Sequence, residues 1–257
     1  MIMILEGFRG LLGLLSFSTI LPLNIHTSIE EMAKVTWLWP LLGGIIGIFV
    51  GAVGFVFVNL LPIDQLITAT IVYSFAISFT GFHHLDGLID MGDALMAHGD
   101  YKKKIGIMRD SRIGTGGIAS FFIIALITVA SINAISPSSI FLVLLISEIG
   151  AKMGLITCCA LSRPFPDGTG KFFIESMNMK LLLLSLILCF IVGFILFNVI
   201  GVLGIIGGTI AGVILAVVSR KSFYWTTGDI LGASNEVGRM LSLLVMTSMV
   251  IPWTLMF

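Results

Sequence analysis

The sequence predicts an all-α, polytopic integral membrane helical bundle, and three observations carry that expectation. Hydrophobic residues make up 57% of the 257 and charged residues only 11%, where a soluble domain carries about a quarter. Mean hydropathy is +1.11. The apolar residues come in long, Gly-rich runs, not in the alternation of a membrane strand, which argues against a barrel. The chain reads as a single integral membrane catalytic domain over 1–257.

Taken in order, the hydropathy pattern places membrane segments at about 7–23, 37–61, 66–82, 116–136, 140–160, 181–199, 201–218 and 240–257. The first is short enough to lie in the interface or re-enter, so the count is about seven to eight. It follows Glu6 and Arg9, ends at Pro22 and has no small-residue cleavage site, so it reads as retained. The run 181–218 is too long for one span, and Asn198 to Gly201 is the expected break. Trp37, Trp39 and Trp253 fall near segment ends, where interfacial aromatics belong. Cys158, Cys159 and Cys189 all lie in apolar stretches and read as packing residues, not as a disulfide framework or a zinc site.

The polar remainder gathers at 83–115, 161–180 and 219–240, which hold ten, five and five charged residues, 20 of the chain's 28. Alternating spans return all three patches to one face, and the connections near 62–65, 137–139 and 198–201 contain no Lys or Arg. The positive-inside rule makes the charged face cytoplasmic, in the cell membrane. No internal repeat of the kind common in transporters stands out. The 14 basic and 14 acidic residues cancel, so bulk charge gives no hint of nucleic acid as a partner, and none is expected. Lys102, Lys103 and Lys104 suit anionic membrane lipid. Homo-oligomerisation is left open.

Within the first patch, Asp86, Asp90 and Asp93 stand at i, i+4 and i+7, which on a helix places them within about 60° of one face. That pattern suits a hard divalent cation such as Mg2+, which takes carboxylate oxygens and completes its shell with water and phosphate. A solvated acidic face is the other reading of the same spacing. Basic residues follow, with Arg109 and Arg112 at i, i+3 and Asp110 between them, an order that suits a metal-bound pyrophosphate. His83 falls on the aspartate face by helical arithmetic and His84 almost opposite, so spacing favours His83 as a general base. In the second patch Arg163 and Lys171 are candidate anion contacts, and Gly168 and Gly170 would let backbone N–H groups approach an anion. In the third, Asp229 and Glu236 share a face of any continuing helix; a capped helix N-terminus is the alternative. Glu148 and Lys152, i and i+4, read as a buried structural ion pair, with a role in a site as the alternative.

The run Phe82-His-His-Leu-Asp-Gly-Leu-Ile-Asp-Met-Gly-Asp93, followed by Ile107-Met-Arg-Asp-Ser-Arg-Ile-Gly-Thr115, closely resembles the signature of the cobalamin synthase, or adenosylcobinamide-GDP ribazoletransferase, family. Thr227-Gly-Asp-x-x-Gly-Ala-x-x-Glu236 matches as well, and Arg163…Gly168-x-Gly170 more loosely. The resemblance implies an integral membrane enzyme that joins a GDP-activated corrinoid to α-ribazole, as nucleoside or 5′-phosphate, releases GMP and needs Mg2+. It implies His84, Arg109, Asp110 and Arg112 as catalytic residues. Arg163, Gly168 and Gly170, with Lys171 added from its reading as an anion contact, would bind substrate, and Asp86, Asp90, Asp93, Asp229 and Glu236 would bind metal. On this pattern His84 is the matching histidine and His83 is extra, against the helical arithmetic. Ile89, Ala94 and Arg239 depart from the residues usual at their places, a second glutamate being frequent where Arg239 stands. A CDP-alcohol phosphotransferase does similar chemistry, but its motif begins Asp-x-x-Asp-Gly, whereas here the spacing is Asp-x-x-x-Asp-x-x-Asp. A divalent-cation transporter would carry its acids near mid-span; here they gather at one edge.

Overall fold

The computed structural model describes residues 2–23, 25–61 and 63–255, and the side chains of those from 7 to 249; Trp253 and the end of the last predicted segment lie outside the described side chains. All regular structure in it is helical: α1 (Ile2–Ser18), α2 (Ile29–Ala33), α3 (Trp39–Asn59), α4 (Gln65–Phe79), α5 (His83–Met96), α6 (Tyr101–Met108), α7 (Thr115–Asn133), α8 (Ile140–Leu161), α9 (Gly170–Ser176), α10 (Met179–Ser222) and α11 (Gly228–Leu255). The starts follow local chemistry. Pro40 sits in the first turn of α3, where a missing N–H costs nothing. Asp64, Asp100 and Asn178 accept from first-turn N–H groups of α4, α6 and α10.

Among the described residues, four stretches are long and apolar enough to cross a membrane: Thr36–Asn59, Thr115–Asn133, Ile140–Leu161 and Met179–Ser222. The count rises to five if α4 and α5 form one broken span. That number takes the segments expected at 181–199 and 201–218 as one helix, α10. Helices α1 and α4 have 17 and 15 residues, short of the roughly 20 a perpendicular span needs. Helix α11 carries Asp229, Glu236 and Arg239 in its first half. The expected break in the long apolar run is present at Phe197 and Asn198, whose backbone leaves the helical region, and beyond it Gly201 packs on Gly193, so α10 folds back on itself.

Helix α8 is the hub. It is packed against α3, α10 and α11 and is buried on every side, as expected of a helix apolar all round. Close approach is made by small residues: added β-carbons on Gly43 and Gly47 of α3 would sit 2.5 Å and 2.6 Å from the carbonyl oxygens of Glu148 and Leu145. Lipid tails offer no hydrophobic drive toward helix association, so this intimate packing supplies it. The outward surface is the reverse of a soluble protein's. Phe49, Phe55, Phe122, Leu126, Ile187 and Ile195 are exposed, while Glu148, Lys152 and Arg239 are buried.

Those buried charges correct the expected pairing. Glu148 does not bridge to Lys152. Its oxygens accept from Arg239 Nε at 2.6 Å and Nη2 at 3.1 Å, and Arg239 Nη1 also donates to Glu236. Lys152 Nζ instead donates to Asn235 Oδ1 at 2.8 Å and lies 3.2 Å from His84 Nε2. An Arg fork matches a carboxylate bidentately and a lysine does not, so the cross-helix pair prevails over the i, i+4 neighbour.

Candidate active site

The site begins at a backbone break. Gly81 (φ 63°) and Phe82 (φ 60°) both adopt left-handed conformations, and α5 leaves α4 at 94°. The turn makes α5 an amphipathic helix at the polar end of the bundle, packed on α7 and α11. Gly87 lets α5 press on the first turn of α11, where an added β-carbon would sit 2.5 Å from the Asp229 carbonyl oxygen. Asp86 and Asp229 are thereby brought to the same place from helices that are 143 residues apart in the chain. The second patch joins through an isolated parallel bridge between Pro164 and Thr226, with Phe165 N–H donating to Thr226 O at 2.9 Å and Thr226 N–H to Arg163 O at 2.8 Å. Gly170 then approaches Gly228 so closely that a β-carbon would lie 2.6 Å from its nitrogen. The three polar patches do converge.

Between them lies a cleft of about 240 Å³ lined by Phe17, Ser18, Trp39, His83, His84, Asp86, Leu155, Thr169, Gly170, Phe173, Gly228, Asp229, Leu231 and Gly232. Of the residues singled out from sequence, His84, Asp86, Gly170 and Asp229 line it. Asp90 lies one turn along α5, half-buried. Burial and the charges of Asp86, Asp229 and Asp93 push its carboxyl up from 3.8 to about 7. Burial likewise raises Asp229, helped by Asp86 and opposed by Arg109. Among the described residues Asp86, Asp90 and Asp229 form no ion pair.

Asp93 has a separate commitment. Its carboxylate accepts from the N–H groups of Gly114 at 2.7 Å and Gly117 at 2.8 Å, capping α7 across a gap of twenty residues. Glu236, expected among the metal ligands, stands apart: it is buried, and its oxygens accept from Asn235 Nδ2 and from Arg239. Asp229 and Glu236 share α11 but serve different neighbours.

The bend settles the histidines. His83 is exposed and stacks on Phe17, ring centroids 6.3 Å apart and 9° from parallel. His84 is turned inward and buried, and burial first, then the Lys152 charge, hold its pKa well below the usual 6.5. With Lys152 as donor to Nε2, the neutral ring carries its proton on Nδ1, which has no partner in the protein. Both histidines line the cleft, one exposed and one buried.

Among the arginines, Arg109 lies over the Phe165 ring, 4.6 Å from its centroid, and reaches Asp167 at 3.4 Å. Arg112 is bound to Asp110 in an exposed pair at 2.6 Å, which holds the Asp110 carboxyl below its ordinary range. Arg163 rests against Tyr224, donating to its hydroxyl at 3.3 Å. Gly168 is an exposed turn residue, and Lys171 approaches Glu175 at 3.9 Å. None of Asp110, Arg112, Arg163, Gly168 or Lys171 lines the cleft.

Sequence reasoning missed the cleft's aromatic side. Trp39, read as an interfacial anchor, is 4% exposed and packs on Phe173 with centroids 4.9 Å apart. Phe17 meets the same Phe173 ring at 5.8 Å. Neither Phe carries a motif; only the tertiary contact marks them.

The donors are of the type a hard cation takes: carboxylate oxygens of Asp86 and Asp229 in one cleft, in no ion pair among the described residues. Among the described residues no three His, Cys, Asp or Glu side chains converge tightly enough to chelate an ion by themselves. A cation here would share its shell with oxygens from water and ligand, as Mg2+ commonly does. A pH dependence follows. Because the folded pKa of Asp90 lies above its ordinary value, its contribution favours the folded state fully below about pH 4 and is lost as pH rises through about 7. The cation-free protein should therefore melt at lower temperature at pH 8 than at about pH 5.5, and added Mg2+ should raise the melting temperature more at pH 8. Melting curves insensitive to both would remove the carboxylate cluster from the account.

The sequence model of the family described as cobalamin-5-phosphate synthase matches residues 10–247. An adenosylcobinamide-GDP ribazoletransferase of Methanosarcina barkeri is 32% identical, covering 94% of this chain and 91% of its own length. One of Thermococcus kodakarensis is 31% identical over 91% of this chain and 96% of its own. One of Caldanaerobacter subterraneus is 27% identical over 90% and 95%. No solved structure matches the chain.

Proposed function

The chain belongs to the cobalamin-5-phosphate synthase family, and from that premise we propose a Mg2+-dependent transfer of a GDP-activated corrinoid to α-ribazole or its 5′-phosphate. The enzyme class is a ribazoletransferase of cobalamin assembly, like the named relatives. The single observation that supports the chemistry is the cleft itself, where Asp86 and Asp229 meet with Asp90 alongside, none of them in an ion pair among the described residues.

In the proposed reaction a ribazole hydroxyl attacks the phosphorus on the corrinoid side of the pyrophosphate. A new P–O bond forms, the P–O bond to the bridging oxygen breaks, and GMP leaves with that oxygen. Such transfers need positioning and cancellation of charge more than covalent help. Asp86 and Asp229, with water and phosphate oxygens, would hold a Mg2+ that cancels charge on the phosphate, and Asp90 stands alongside. Arg109 does not line the cleft but is close enough to Asp229 to influence its ionisation, and in this reading it grips phosphate. His84, protonated on Nδ1 and fixed from behind by Lys152 and Asn235, donates to a phosphate oxygen and is not the base. The hydroxyl proton passes to an Oδ of the aspartate cluster. Asp93 holds α7 against α5, and Glu236 belongs to the buried network and not to the cation. The polar face is read as cytoplasmic, where positive residues gather and nucleotide substrates occur.

The test is direct. Purified protein in lipid nanodiscs, given Mg2+, adenosylcobinamide-GDP and α-ribazole, should release one GMP per corrinoid consumed, and EDTA should stop it. Ion flux in proteoliposomes with no GMP formed would replace this reading with a transporter.

A further inference from the structure

The cleft has two unlike kinds of lining. Asp86 and Asp229 line it, and so does a continuous run of rings, His83, Phe17, Phe173 and Trp39, with neighbouring centroids 6.3, 5.8 and 4.9 Å apart. Within that run one polar atom is unspent. Trp39 Nε1 is buried and has no hydrogen-bond partner among the described residues, although a buried indole N–H usually finds one. The ring run thus offers flat apolar faces, one imidazole stacked parallel on Phe17 and a single buried unsatisfied donor.

We propose that this wall seats the base of the acceptor nucleoside: a flat, apolar bicyclic ring system with one free ring nitrogen, packed on Phe17 and Phe173 and accepting from Trp39 Nε1–H. The inference rests on the transferase reading and deepens it by assigning one half of the cleft to one half of one substrate. A benzimidazole-type nucleoside fits the inventory. One of its nitrogens is consumed by the ribose, the other keeps a lone pair, and the rest of the bicycle is hydrocarbon. Guanine, the other base in the reaction, fits poorly. Its N1–H and amino group need several acceptors, and the aromatic wall offers at most the one imidazole nitrogen of His83. Size agrees: about 240 Å³ suits a nucleoside and lies below the ~300–1,000 Å³ of clefts that enclose larger ligands. The corrinoid macrocycle would stay outside and present only its pyrophosphate. With the base against the rings, the ribose faces Asp86 and Asp229, which is where its hydroxyl must meet phosphorus.

The experiment measures equilibrium binding of α-ribazole and, separately, of GMP to the full chain in nanodiscs, beside the KM of each substrate. Trp39→Phe keeps the plane and removes the N–H; Phe17→Ala trims a ring that is 42% exposed, so its folding is little disturbed. Trp39→Phe should weaken α-ribazole binding about tenfold and Phe17→Ala about threefold to tenfold. GMP affinity and the KM for adenosylcobinamide-GDP should stay unchanged. Losses confined to GMP, or equal for both ligands, would hand the wall to guanine; no loss for either variant, or no α-ribazole binding by wild type, would also overturn the proposal. A wild type that binds α-ribazole through these two residues but releases no GMP would leave the wall standing and refute the transfer reaction instead.

Discussion

Asp86→Asn should lower GMP release by at least about 10²–10³-fold, the scale seen when one preorganised charge partner of a reacting group is lost, while the protein still folds. Asp86 is exposed to the cleft and has no ion-pair partner among the described residues, so the amide replaces it without breaking a structural contact. In the cation-free state the substitution removes one of the charges that raise Asp90 and Asp229, so the melting temperature without Mg2+ should hold or rise. The Mg2+-induced increase should shrink at the same time. This opposite movement of stability and activity separates a lost ligand from a damaged fold. Full turnover by Asp86→Asn would remove the cation from the mechanism.

The second large effect concerns Arg239→Met. Its guanidinium is 2% exposed and holds two carboxylates that are themselves buried, Glu148 at 0% and Glu236 at 1%. Deleting the cation strands both charges, and breaking such a pair costs about 3–5 kcal/mol. Against a typical total of about 5–15 kcal/mol, the folded yield in detergent should fall sharply. The neutral set Arg239→Met with Glu148→Gln and Glu236→Gln should recover much of it, because no unpaired charge remains and volume is nearly kept. Glu236→Gln alone tests the assignment of that residue. It should cost stability yet preserve the Mg2+-induced shift in melting temperature, whereas a cation ligand would lose that shift. Single-variant stability equal to wild type would show that the triad is not closed as the structure has it.

Much of this site is legible in the residues alone, and the reason is local. Asp86 and Asp90 are one turn apart on one helix, so their approach needs nothing beyond helical geometry. The three polar patches are expected to meet if apolar spans alternate, and in the structure they do so through α5 on α11 and the Pro164–Thr226 bridge. The break at Phe197 and Asn198 was visible as an apolar run too long for one crossing. Trp39 was misjudged for the same local reason: a tryptophan near a span end has an ordinary place at the interface, and only α9 packing beside α3 turns it into a cleft wall.

What this sequence determines unaided is the helical membrane class, the gathering of charge at one end of the bundle, and the family motifs that name the chemistry. The partner of each polar side chain was decided only in three dimensions. His84 faces Lys152 because two successive left-handed residues swing α5 through a right angle. Glu148 chooses Arg239 over the lysine one turn away, and Asp93 turns from the cleft to cap α7. Periodicity fixes which residues share a face, but the rotation of one helix against the next is set by chain breaks and close-packed backbones. That rotation decides which charge meets which.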